Sequence, residues 1–189
     1  MPLRFAVVLA VAARTCGGSS DVPDIEPAPA QTKPAQPPEP PVADGQPLDA
    51  TIPLFAGDST QLSALRGKVV ILELSATDRP GWQQAHTHYR ALLTELTDLE
   101  VVAVSIDDAI EPLQAEWDVD PPPFVLGWDP QGALALRLGV KSLPTMFVLD
   151  REGRIVGATA GFDGGKTLRE LDGLVREAMA PARSGPAAR

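Results

Sequence analysis

The run Lys68 to Leu74 (KVVILEL) constrains the fold most, because a β-branched and aliphatic stretch between Arg66-Gly67 and Ser75-Ala76-Thr77-Asp78 reads as a strand buried on both faces. Such a strand needs layers above and below it, and the residues that follow supply them. Pro80 predicts a helix start, since its missing N–H costs nothing in a first turn, and Trp82, Ala85, Tyr89, Leu92, Leu93 and Leu96 recur at helical spacing. Glu100 to Ile106 is the next strand. Asp108 is expected to cap a helix carrying Ile110, Leu113 and Trp117, which Pro121-Pro122-Pro123 stops before a short extended run, Phe124 to Leu126. Ala133 to Leu138 reads as a short helix ended by Gly139. Thr145 to Leu149 and Arg154 to Ala160 form a hairpin around Asp150-Arg151-Glu152-Gly153, and a last helix carries Leu168, Leu171, Leu174, Val175 and Met179. Strands alternating with helices, then a hairpin and a helix, predict an α/β domain with a mixed central sheet flanked by helices on both faces.

The start of the chain is built differently. Arg4 and the apolar Phe5 to Ala13 read as a signal peptide, too short to span a bilayer as a permanent helix. Cys16-Gly17-Gly18-Ser19-Ser20 follows and resembles a bacterial lipoprotein signal, in which the cysteine takes the lipid. Arg14 departs from that pattern, and an ordinary signal peptide with an incidental cysteine is the other reading. From Gly17 to about Ala43 prolines crowd the chain and no periodic apolar face exists, so this stretch is expected to be a disordered spacer. Extended at ~3.1 Å per residue, about 25 residues reach on the order of 80 Å. The expected organisation is a signal peptide over 1–15, a linker over 16–43, a domain over 44–181 and a disordered tail over 182–189.

Cys16 is the only cysteine. One thiol makes no intramolecular disulfide, no zinc cluster and no resolving pair, so stability has to come from packing. The net charge of -9 and the lack of a basic patch interleaved with aromatics argue against nucleic acid as a partner.

Leu62-Ser63-Ala64-Leu65-Arg66-Gly67-Lys68-Val69-Val70, the turn Ser75 to Trp82 (SATDRPGW), and Leu143-Pro144-Thr145 running on to Gly153-Arg154-Ile155-Val156 together resemble the TlpA/ResA branch of the thioredoxin-like proteins, a redoxin group related to the AhpC/TSA proteins. The resemblance runs from about Gly45 to Met179 and implies the thioredoxin fold. In that branch the turn reads like FWATWCPPC. Here Ala76, Thr77 and Pro80 match, Ser75 and Asp78 replace tryptophans, and Arg79 and Trp82 replace both cysteines around Pro80-Gly81. Dithiol exchange needs a thiolate stabilised at a helix N-terminus and a second thiol to resolve the mixed disulfide. Arginine remains protonated and is no nucleophile, so the domain alone is excluded from dithiol and cysteine-peroxidase chemistry.

The resemblance also implies that Pro144 is a cis proline facing the turn, with Leu143 free to pair with a bound strand beside Asp78, Arg79 and Trp82. A plain proline at a strand start is the structural alternative. Glu73 stands where the family keeps a buried proton-accepting carboxylate; with no thiol to serve, a strand-end carboxylate that reaches water or pairs with Lys68 or Arg79 is the favoured expectation. The glutamate often found three residues past the second cysteine is Ala85 here. His86 and His88, the two histidines, fall on different helical faces at i, i+2 and make a poor metal pair, and a Sco-type copper site would need the missing cysteines. Asp107-Asp108 reads as a strand end and helix cap, and Gly164-Gly165-Lys166-Thr167 as a turn before the last helix in place of a phosphate loop.

These readings imply a membrane-tethered envelope module, on the periplasmic side of a bacterial membrane and anchored by a lipid on Cys16. It is expected to bind an envelope protein or an extended peptide segment, chaperone-like, without redox chemistry, metal or cofactor. The alternative is a component of a thiol-disulfide oxidoreductase system that works with a cysteine-bearing partner. An unrelated enzyme built on Glu73, Asp78 and His86 has no support from their spacing.

Overall fold

The computed structural model describes residues 45–181. The expected signal peptide, the proline-rich segment with Cys16, and the C-terminal tail lie outside the described residues. In chain order the elements are β1 (Thr51–Pro53), β2 (Ser59–Gln61), a 3-10 turn (Leu62–Leu65), β3 (Val69–Ser75), α1 (Trp82–Glu95), β4 (Leu99–Ser105), α2 (Glu111–Trp117), β5 (Val125–Trp128), α3 (Ala133–Arg137), β6 (Thr145–Leu149), β7 (Ile155–Ala160) and α4 (Gly165–Met179). β1 and β2 pair as a small antiparallel ribbon.

The other five strands form one mixed sheet in the order β5-β4-β3-β6-β7. β3 lies at its centre, parallel to β4 from Val69↔Leu99 to Ser75↔Ser105 and antiparallel to β6 from Val70↔Leu149 to Leu74↔Thr145. Every residue of β3 is buried, as its unbroken aliphatic run demands. Side chains alternate across the sheet with a period of two. Val70, Leu72 and Leu74 therefore enter one core with Val102, Val104, Phe147 and Leu149, covered by Ile52 of β1 and Leu134 of α3. Val69 and Ile71 enter the opposite core with Val101, Ala103, Met146 and Val148, covered by Ala85 and Tyr89 of α1 and by Leu171 and Val175 of α4. This is the expected α/β sandwich of helices around a mixed sheet.

Three local expectations are corrected. α1 begins at Trp82, so Pro80 sits in the turn before the helix: Gly81, at φ 87°, reverses the chain immediately ahead of the first helical residue. α2 begins at Glu111 after Ile110, with no side-chain cap, so Asp108 lies in the preceding loop; Pro112, which has no N–H to satisfy, sits in the first turn. β3 runs through Ser75, which puts Glu73 well inside the strand instead of at its end.

Candidate functional site

The turn between β3 and α1 is fixed from below by Asp107, just past the end of β4. Its carboxylate accepts the Thr77 backbone N–H (3.0 Å), the Thr77 hydroxyl (3.2 Å) and the Ser105 hydroxyl (2.5 Å). One side chain thus ties two parallel strand ends together. Above this latch the Arg79 N–H bonds to the Ala76 carbonyl (3.0 Å) and the Trp82 N–H to the Arg79 carbonyl (3.3 Å). Gly81 is required here twice over: its positive φ disfavours any other residue, and a Cβ would stand 2.2 Å from the Phe162 ring.

The two residues at the positions of the family's thiols have opposite environments. Arg79 is exposed and forms a bidentate pair with its neighbour Asp78, Nε to Oδ1 and Nη2 to Oδ2, both 2.8 Å. Trp82 is only 2% exposed, packs with Leu113 and Trp117, and donates its indole N–H to Glu116 Oε2 (2.7 Å). Trp82 is therefore corrected from a groove residue to a core residue. As the first residue of α1 it packs onto α2, and it is not among the residues that line the groove with Leu143.

Arg79 and Leu143 share a groove. They line it, at ≈ 520 Å³, together with Ile106, Ala135, Val140, Lys141 and Ser142. Pro144, the next residue, is buried, and the Leu143–Pro144 peptide bond is cis. Asp78 stands outside, holding Arg79. Among the described residues, Lys141, Ser142 and Leu143 make no backbone-to-backbone hydrogen bond, and the Ser142 carbonyl accepts from the Thr145 hydroxyl (2.7 Å).

Beneath the turn the structure overturns the expectation for Glu73. Lys68 pairs with Glu100 (2.8 Å) and Arg79 with Asp78, while Glu73 is 0% exposed. Strand alternation sends Glu73 to the α1 side, the same side as Ile71. There His86 Nε2 lies 3.3 Å from Glu73 Oε2, in an alignment too poor for a well-formed hydrogen bond. The Tyr89 hydroxyl completes the cluster, also without a well-formed bond. Burial first, and then the charge of Glu73 and the pull of its carboxylate on the hydroxyl proton, hold Tyr89 well above the ordinary tyrosine range. The His86 ring packs at 4.0 Å from the Trp82 ring and edge-on to Phe124 at 5.1 Å. Its outer side borders a ≈ 260 Å³ cavity between α1 and α2, lined also by Arg90, Glu116 and Trp117.

His88, two residues on, faces α4 and meets Asp172 (2.7 Å), so the two histidines serve different contacts. Among the described residues no group of three His, Cys, Asp or Glu side chains is placed to hold a metal. α4 begins at Gly165, within the glycine pair, where the Thr167 hydroxyl accepts the Asp163 N–H (2.8 Å). Sequence reasoning gave Asp107 and His86 other roles, a strand end or cap and half of a poor metal pair, in place of a latch and a neighbour of Glu73, and it passed over Lys141 in the groove. For His86 a signal existed: Trp82, Ala85, His86 and Tyr89 form one i, i+3, i+4, i+7 stripe.

The sheet order, the flanking helices and a strand-turn-helix whose Arg79 shares a groove with the residue before a cis proline define an α/β domain of the thioredoxin class, with a turn that carries no thiol. A family model described as "AhpC/TSA family" matches residues 45–158, and the chain belongs to that family. Solved structures share the fold. A candidate thiol:disulfide interchange protein DsbE from Chlorobium tepidum is 25% identical, with 70% of this chain and 94% of that chain covered at a TM-score of 0.64. A candidate protein disulfide isomerase from Bacteroides thetaiotaomicron is 26% identical, with 73% and 89% covered at 0.58. The pneumococcal exposed lipoprotein thioredoxin from Streptococcus pneumoniae is 22% identical, with 68% and 99% covered at 0.56. No curated protein matches the chain.

Proposed function

We propose that this protein is an envelope-side thioredoxin-like module that holds an extended polypeptide segment along Leu143, chaperone-like, with no dithiol chemistry of its own. The observation that carries the reading is the contrast at the turn: the family's two thiol positions hold an ion-paired Arg79 and a buried Trp82, while the groove beside them is lined by Lys141 to Leu143, which make no backbone-to-backbone hydrogen bond among the described residues. A lipid on Cys16 tethers the module to a bacterial membrane. The leader pattern supports that tether, as does the description of the pneumococcal structure as an exposed lipoprotein.

The test has two arms. Purified protein assayed for reduction of insulin disulfides is expected to stay at the uncatalysed rate, and turnover above it defeats the reading. Palmitate labelling in a bacterial host is expected for the wild type and lost in Cys16→Ala; equal label in both removes the tether. A second reading, a component of a thiol-disulfide system that works with a cysteine-bearing partner, draws on the likeness to the Chlorobium protein. It requires a mixed system in which turnover by a partner thiol rises when this protein is added.

A further inference from the structure

We infer that the groove beside Leu143 selects an acidic extended segment, a strand whose carboxylate side chain meets Lys141 and Arg79 while an adjacent apolar side chain enters the wall of Ile106, Ala135 and Val140. This rests on the peptide-holding reading above and specifies the chemistry of the partner.

The charge pattern comes first. In a chain of net charge -9, the groove is lined by two cations and by no carboxylate. Lys141 is exposed and has no ion-pair partner among the described residues. Arg79 spends Nε and Nη2 on Asp78, which orients the guanidinium, and its Nη1 has no partner among the described residues. A carboxylate arriving at the groove finds two charged donors in its lining, the Lys141 ammonium and the oriented Arg79 guanidinium, and charge-assisted bonds of this kind are the strong ones. A lysine in the same place would meet the like charge of Lys141, with no carboxylate there to offset it as Asp78 offsets Arg79.

The backbone is the second, independent observation. β6 begins only at Thr145, so the three residues ahead of it in the groove, Lys141 to Leu143, lie outside the sheet ladder and make no backbone-to-backbone hydrogen bond among the described residues; of their main-chain groups, the Ser142 carbonyl is taken by the Thr145 hydroxyl. An added strand pairs with main-chain groups outside a ladder while its alternate side chains point to opposite sides. The apolar wall takes one set and the two cations take the other.

The test uses the full chain and three fluorescein-labelled peptides, Ser-Thr-Val-Asp-Val-Thr-Ser and its versions with asparagine or lysine for aspartate, followed by fluorescence anisotropy. At about 20 mM salt the aspartate peptide is expected to bind at least about tenfold tighter than the lysine peptide, with asparagine between, and at about 0.5 M salt the gap narrows. Lys141→Glu is expected to reverse the order, and Arg79→Gln to shrink it, with thermal midpoints unchanged because both side chains are exposed. Equal affinity for the three peptides, or an order that Lys141→Glu leaves intact, overturns the charge selection alone. Binding of none of them up to about 1 mM, where even a weak contact of about 4 kcal/mol registers, overturns the peptide-holding reading as well.

Discussion

Glu73, His86 and Tyr89 put three polar groups into an apolar layer without a well-formed hydrogen bond between them and protein. Each such group costs on the order of 1–3 kcal/mol when its needs go unmet, so the cluster is a local weakness that its packing against Trp82 and Phe124 has to offset. Tyr89 makes this measurable, because it is the only tyrosine in the chain. Its proton leaves the unfolded chain near pH 10.0, the ordinary value, and leaves the folded protein only at a higher pH. Between those two values the folded state holds more protons than the unfolded one, so stability is intact below the unfolded value and is lost as pH rises through the folded one. Tyrosinate absorbance is therefore expected to appear only with unfolding, and Tyr89→Phe is expected to remove that part of the alkaline slope while changing neutral-pH stability by no more than about 1 kcal/mol. A reversible tyrosinate titration at the ordinary value in the folded protein contradicts the buried site. Trp82 yields a second prediction at this scale. Trp82→Ala empties a packed site and strips Glu116 of its donor, so a loss of about 3–5 kcal/mol is expected by urea unfolding, with Trp82→Phe losing markedly less. Installing cysteines at 79 and 82 then tests the core before it tests redox chemistry. In the sequence the missing thiols were plain, whereas the inward turn of Trp82 was not: its helical stripe marked it as apolar, but which neighbour it covers depends on α2, a tertiary contact that no local pattern encodes.

The turn from β3 to α1 is held at its two ends by different means. Asp107 anchors the Thr77 end, accepting two hydrogen bonds from Thr77 and a third from Ser105, and Gly81 closes the helix end through a backbone conformation and a ring contact. Asp107→Ala releases all three acceptor contacts and leaves two hydroxyls and an amide to find water. A loss of about 1–3 kcal/mol is expected, with hydrogen exchange at the Thr77 amide rising more than at amides inside β3. Uniform acceleration across β3 and the turn would show that Asp107 supports the sheet in general instead of latching the turn. Gly81→Ala has to meet both the left-handed backbone and the Phe162 ring, and proline, which the family pattern carries here, cannot adopt a φ of 87° at all. This is why the elements were legible and their junctions were not. β3, α1 and β4 announced themselves by period, but Pro80 read as a helical first-turn residue because the reversal at Gly81 leaves no trace in hydrophobic pattern. Asp108 read as a cap for the same reason, when the neighbouring Asp107 was bonded across to another strand end.

At the scale of the whole molecule, β3 belongs to both cores at once, since its alternate residues feed the layer under α3 and the layer under α1 and α4. That shared strand is what the run KVVILEL encodes, and it explains why fold class was readable from seven residues and the helices that follow them. It also links the two layers, since each of them buries one face of β3. The three tryptophans, Trp82, Trp117 and Trp128, gather in a third cluster at one end of the domain, so their fluorescence reports that end alone, whereas far-ultraviolet circular dichroism reports every helix and strand. If β3 makes the domain one cooperative unit, the two signals are expected to share a single urea transition. Ile71→Ala, buried on the α1 and α4 side and away from the tryptophan cluster, is then expected to move both curves together by about 2–5 kcal/mol. Should fluorescence change at lower urea than circular dichroism, α2 and the buried face of Trp82 form a separate, weaker unit. The turn above them would then open without the sheet, leaving the groove side at Leu143 as the rigid part of the site.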